Sequence, residues 1–220
     1  MTGDQPANAA DEATRRLLVR NGYDAISLAY RSDDGHAASS SAEDVSRYAG
    51  WVAELASLLP ARAAVADLGC GAGVPATREL TDRGLQVLGV DFSAVQLARA
   101  RRLVPAARLV QADIAELQLQ PSSLDAVVSF YALIHVPLPD QQALFPRIRS
   151  WLRAGGYLLA ITGATWWTGT GPYLGADMFW DHADTHTYLR WLREAALEPS
   201  WHRYVPEGGS GHSLILARAV

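Results

Sequence analysis

Three aspartates and three glycines are the residues whose types and spacing suit chemistry in this chain. The segment Asp67-Leu68-Gly69-Cys70-Gly71-Ala72-Gly73 follows a short apolar run. Asp91 closes a second apolar run 24 residues after Asp67, and Asp113 a third, 22 residues after Asp91. Glycines at such a joint let the backbone come close to a ligand. An acid at the second position accepts hydrogen bonds from two ribose hydroxyls. An acid at the third accepts from an adenine amino group, with the Ile114 N–H beside it. Residues 71–76, Gly-Ala-Gly-Val-Pro-Ala, also fit the dinucleotide pattern GxGxxA, and Asp91 suits either nucleotide. Asp113 favours an adenosine lying across the carboxyl edge of a sheet, where open α/β folds place ligands.

The elements that must position these residues follow from periodicity. Helical spacing runs from Asp11 to about Tyr30, followed by a polar Gly/Ser stretch. Ser40 with Glu43 reads as a capping box for a helix over 42–59, closed by Pro60. From there strands and helices alternate. Strands are predicted within 63–69, 85–91, 107–114, 124–133 and 156–163, with helices between them. Ser93 is a cap. Gly155-Gly156 stops the third helix of this series, which Pro146 kinks or restarts. Residues 184–197 form an amphipathic helix capped by Asp184 or Thr185, and two apolar runs around a Gly-rich turn form a closing antiparallel hairpin. Such alternation implies a mostly parallel sheet.

At this point the chain resembles the class I S-adenosylmethionine-dependent methyltransferases. Val65–Gly73 is similar to their first motif, Gly89–Ser93 to the ribose acid, and Gln111–Ile114 to the adenine motif. Residues 124–137 and 152–160 are similar to their fourth and fifth strands, and the resemblance covers about residues 60–220. It implies a Rossmann-like α/β fold: a seven-stranded, mostly parallel sheet with a reversed last strand, helices on both faces and an N-terminal helical lid. Residues 1–60 would be the lid and 61–220 the core. The implied cofactor is S-adenosyl-L-methionine. Gly69, Cys70, Gly71 and Gly73 would line its methionine part, with Asp67 holding the loop or the amino group. Asp91 would take the ribose, with Phe92, Asp113 and Ile114 at the adenine. Ser129 would offer a carbonyl, with Phe130 beside it, and Tyr30 would reach in from the lid, ahead of Tyr23.

Residues 163–183 read as a long loop without helical periodicity. Trp166, Trp167, Tyr173, Phe179 and Trp180 crowd it, so it is expected to wall a pocket for a small organic acceptor. A base is needed only if the acceptor holds a proton at neutral pH. His182 ranks first because Asp181 and Asp184 lie close enough in sequence to orient its ring; His135 ranks second and Tyr131 third. No metal is expected.

Bulk properties set the remaining bounds. The 220 residues are 49% hydrophobic, enough for one domain with a real core. The net charge is −4 without a basic stripe, which disfavours a nucleic-acid partner. Cys70 is the only cysteine, so no intrachain disulfide forms. With no apolar leader or spanning run, a cytoplasmic protein without membrane contact is expected, its oligomeric state open. Small-molecule methyl transfer, in specialised metabolism by family analogy, leads this reading. The alternatives are RNA or protein methylation, then an NAD(P)-dependent enzyme or a non-catalytic cofactor-binding module.

Overall fold

A computed structural model describes residues 5–36, 42–207 and 210–220. Helix α1 (Gln5–Tyr30) and α2 (Ala42–Ala56) precede an alternating series: β1 (Ala64–Leu68), α3 (Ala76–Asp82), β2 (Gln86–Asp91), α4 (Ala94–Leu103), β3 (Arg108–Gln111) and β4 (Leu124–Ser129). Next come α5 (Leu138–Trp151), β5 (Leu152–Gly163), β6 (Trp167–Tyr173), β7 (Ala176–His182), α6 (Thr185–Glu194), β8 (Leu197–Glu207) and β9 (Ser210–Ala219).

Seven strands form one sheet in the order β3-β2-β1-β4-β5-β9-β8. β9 runs antiparallel to both β5 and β8, so it is the reversed strand. Strand order turns back on itself between β1 and β4, and that reversal opens a crevice at the carboxyl ends of the strands. Inner strands are buried on both faces, which is why their sequences read as continuous apolar runs. Ala66 and Val127 face a core built with Leu144, Phe145, Trp151 and Tyr188 of α5 and α6. Their neighbours Val65 and Val128 face the opposite core, with Trp51, Leu55 and Leu80 of α2 and α3.

Several boundaries depart from the sequence expectation. α1 begins at Gln5 and α2 ends at Ala56; Ser40 lies outside the described residues. Helix α5 continues through Pro146 to Trp151 and passes directly into β5 at Leu152. Gly155 and Gly156 therefore do not stop a helix. They fill a register shift in which pairing jumps from Leu124–Leu152 to Ala126–Tyr157. β3 ends at Gln111, two residues before Asp113. Ser93 and Asp184 do cap their helices, accepting from the N–H groups of Gln96 and Thr187.

The largest correction concerns residues 163–183. They form not a loop but the antiparallel hairpin β6–β7, a separate two-stranded sheet. Leu174 and Gly175 make its turn, both at positive φ. Gly169, Gly171 and Pro172 are poor strand formers, and they masked it in the sequence. A two-stranded hairpin is marginal alone, and here buried polar groups clamp it to α5. The Asp181 carboxylate accepts from Leu138 N (2.9 Å), at the start of α5, and from the Thr168 hydroxyl (2.6 Å). Fully buried Gln141 donates to the carbonyls of Val136 (2.6 Å) and Asp181 (2.5 Å) and accepts from the Tyr188 hydroxyl (2.5 Å).

Replacing Gln141 by Leu strands two carbonyls and a hydroxyl. We expect Gln141→Leu to cost about 2–4 kcal/mol in urea unfolding, since each unsatisfied buried group costs about 1–3 kcal/mol. Hydrogen exchange should accelerate first in β6–β7.

Candidate active site

The glycine joint is held by its backbone. The N–H groups of Gly69 and Cys70 both donate to the Val90 carbonyl, at 2.8 and 2.9 Å. Gly69 sits at φ +75°, and a Cβ there would come 2.1 Å from the Ala132 Cβ, so only glycine fits. A Cβ on Gly71 would meet nothing within 4 Å, because this residue borders open space. Asp67 lies behind the loop, buried, and accepts from the Thr77 hydroxyl (2.6 Å) in the first turn of α3. Burial pushes its carboxyl up to about 7, against the Thr77 hydrogen bond and with help from Asp91. Asp91 stands in front. One oxygen accepts from Gly71 N (2.9 Å) and the other from Ser93 N (2.8 Å). Burial raises it to about 6, with these N–H groups pulling the other way.

A cleft opens above this edge. Gly69, Gly71, Asp91, Phe92, Asp113 and Ile114, all named from the sequence, line it. Phe130 and Tyr131 line it beyond β4. Asp67, Cys70, Gly73 and Ser129 are not lining residues; the Ser129 hydroxyl donates to the Leu68 carbonyl (2.9 Å).

Helix α1 roofs the cleft. Arg16, Tyr23 and Tyr30 line it, and their seven-residue spacing puts them on one helical face. That spacing was the available signal for Arg16, which the sequence reading missed. Its guanidinium pairs with Asp113 (3.1 Å), Glu116 (3.2 Å) and Asp140 (2.5 Å). The far end of α1 is fastened to α4: Arg99 donates to the carbonyls of Ser27 and Arg31, both 2.6 Å, and the Ser27 hydroxyl donates to Gln96 (2.8 Å).

The two histidine candidates separate here. His135 lines the cleft, buried, with Nδ1 2.6 Å from the Phe179 carbonyl and Nε2 2.8 Å from the Tyr23 hydroxyl. A carbonyl only accepts, so Nδ1 carries the proton and Tyr23 donates to Nε2. Burial lowers His135 to about 4, so it is neutral near pH 7. His182 is not a lining residue, and its Nδ1 sits 2.7 Å from the Thr165 carbonyl. The carboxylates expected to orient it are committed elsewhere: Asp181 clamps the hairpin and Asp184 caps α6.

The hairpin aromatics form the wall behind His135 and do not line the cleft themselves. Trp180 packs 5.6 Å from the His135 ring and against Trp167 and Tyr173; Tyr173 reaches Tyr30 at 6.3 Å. Phe179 is buried under Arg15, and Trp166 is exposed. Among the described residues, no group of three or more His, Cys, Asp or Glu could hold a metal ion, and no helix is long and apolar enough to cross a membrane.

Comparison with known proteins agrees with this geometry. Residues 65–156 match the family described as a methyltransferase domain. This match and the relatives below support a class I S-adenosylmethionine-dependent methyltransferase. It is 36% identical over 104 residues to carboxy-S-adenosyl-L-methionine synthase of Aliivibrio salmonicida, covering 43% of this chain and 42% of that protein. It is 40% identical over 102 residues to trans-aconitate 2-methyltransferase of Variovorax paradoxus, covering 46% and 38%. The chain thus spans less than half the length of these curated relatives. The crystal structure of Burkholderia thailandensis 1,6-didemethyltoxoflavin-N1-methyltransferase, with 1,6-didemethyltoxoflavin and S-adenosylhomocysteine bound, superposes with a TM-score of 0.69 at 19% identity. That match covers 100% of this chain and 92% of the other.

The raised Asp67 carboxyl sets a pH dependence. The folded chain keeps a proton that the unfolded chain releases above about pH 4, so this contribution to stability is lost as pH rises to about 7. His135 slopes the opposite way, so a difference measurement isolates Asp67. We expect Asp67→Asn to gain about 1–4 kcal/mol over the native protein above pH 7 and to show no gain near pH 4, measured by urea unfolding across pH.

Proposed function

We propose that this protein transfers a methyl group from S-adenosylmethionine to a small organic acceptor. The cleft over the β1–β4 switch point carries the reading, because it joins a nucleotide end to an aromatic end under one helix. The residues fit the cofactor: Gly71 leaves room where a side chain would stand, and Asp91 is a buried carboxylate facing that room. Asp91 would take the ribose hydroxyls. Phe92, Asp113 and Ile114 would hold the adenine, with Gly69 and Gly71 against the methionine part. Asp67 and Gly73 would act from behind by fixing the loop, and Ser129 through its backbone.

S-adenosylmethionine supplies a methyl group already activated by a sulfonium. The protein's share is therefore orientation, exclusion of water and handling of a proton. Tyr23 and Tyr30 close the roof over the cleft. His135 fixes the Tyr23 hydroxyl, whose oxygen keeps lone pairs for an acceptor hydroxyl or amine. The trans-aconitate and 1,6-didemethyltoxoflavin methyltransferases carry small-molecule names, which supports an acceptor of that size.

The test is to incubate the protein with methyl-labelled S-adenosylmethionine and fractionated cell extract. Label in a small organic product, identified by mass, is expected. Label in RNA or protein would replace the acceptor class, and no transfer with no cofactor binding would end the reading. On the product-forming acceptor, His135→Ala, which frees the Tyr23 hydroxyl, should lower kcat about 100-fold, as expected for loss of a positioning contact. Its affinity for S-adenosylhomocysteine should hold.

A further inference from the structure

A second set of polar groups faces the acceptor end of the cleft from the last hairpin. His212 pairs across the sheet with Gly163, the final residue of β5, so it stands at the same carboxyl edge as the glycine loop. Val205 pairs with His212 and Glu207 with Ser210, which puts Glu207 and His212 on one face as diagonal neighbours. His212 Nδ1 lies 3.4 Å from Glu207 Oε2 and has no completed hydrogen bond among the described residues. Tyr131 helps to hold the Glu207 carboxyl in its charged form. The Tyr131 ring lines the cleft and stands edge-on to His212 at 5.2 Å.

Tyr131 holds φ +63°. This is a rare conformation for a bulky residue, and such strain gathers at functional sites. It falls directly after β4 and Phe130, where the chain turns across the mouth of the sheet. Other titratable or charged groups around Glu207 are Arg47 next to α2's Tyr48, Tyr173 on β6 and, behind His212 at 6.4 Å, His182. Burial alone would raise the Glu207 carboxyl; His212, Tyr131 and Arg47 outweigh it and hold it below the usual range. Glu207 is thus an exposed carboxylate beside His212, which stands edge-on to the cleft-lining Tyr131.

Resting on the methyltransferase reading, we propose that Tyr131, Glu207 and His212 form the proton acceptor for a hydroxyl or amine nucleophile. The acceptor's X–H proton passes to the Tyr131 oxygen as the Tyr131 proton passes to Glu207. The X–H electron pair stays on X. The proton then moves from Glu207 to His212 Nδ1, restoring the carboxylate beside an imidazolium. Tyr131 is the catalytic residue, Glu207 and His212 the groups that receive its proton. The substrate class that needs this relay carries a proton on its nucleophilic atom, unlike a carboxylate acceptor.

The test uses 4-nitrophenol, whose absorbance separates phenol from phenolate, added to protein saturated with S-adenosylhomocysteine. At a pH where the free dye is mostly neutral, the bound dye should show the phenolate band. Glu207→Gln and His212→Gln should lose that band while their S-adenosylhomocysteine affinity, read by calorimetry, stays unchanged; a purely structural role would not separate these readouts. A dye that binds only as the neutral phenol, fails to bind, or keeps its phenolate band in both variants overturns the proposal. Failure of the native protein to bind S-adenosylhomocysteine is a distinct result and overturns the methyltransferase reading together with this one.

Discussion

The Asp91 carboxylate is the node on which the site depends. It is buried at the end of β2, and each of its oxygens already accepts a backbone N–H, one from the glycine loop and one from the start of α4. Ser93 extends the node: its hydroxyl oxygen caps α4 and its proton goes to Asp24 of α1. Loop, helix and roof therefore share one hydrogen-bonded chain. Desolvating this acid costs free energy, visible in its raised pKa, and the N–H groups only partly offset that cost. A group held at such expense, with lone pairs still turned to the cleft, is preorganised for hydroxyl donors.

The parts legible in the sequence were those with a local physical signature. β1, β2 and β4 are buried on both faces, so their apolar runs stood out. Ser93 and Asp184 announced helix starts because a cap acts within three residues. Gly69, Asp91 and Asp113 could be assigned together because strand ends converge on one edge in this topology. The β6–β7 hairpin was hidden because its strands contain Gly169, Gly171 and Pro172, and its stability comes from Asp181 meeting Leu138 and Gln141 of α5, some 40 residues away in the chain. No local pattern encodes that clamp.

The same distinction explains the histidines. His182 drew attention through its sequence neighbours Asp181 and Asp184, yet both carboxylates serve distant partners. The oxygen that orients His135 belongs to Phe179 on the hairpin, and its other partner, Tyr23, comes from a helix 112 residues earlier. Glu207 and His212 became neighbours only through hairpin register. Proximity along the chain was a poor guide to proton partners wherever a tertiary contact could outbid it.

Helix α1 places Arg16 beside Asp113 and Tyr23 and Tyr30 further along the same cleft, seven residues apart on one continuous rod. A rod of that kind has no joint between its tasks. Any displacement of the rod would therefore open both ends of the cleft together, and the three carboxylates that pair with Arg16 resist it at one end. Under the proposed function, nucleotide and acceptor would share a single door.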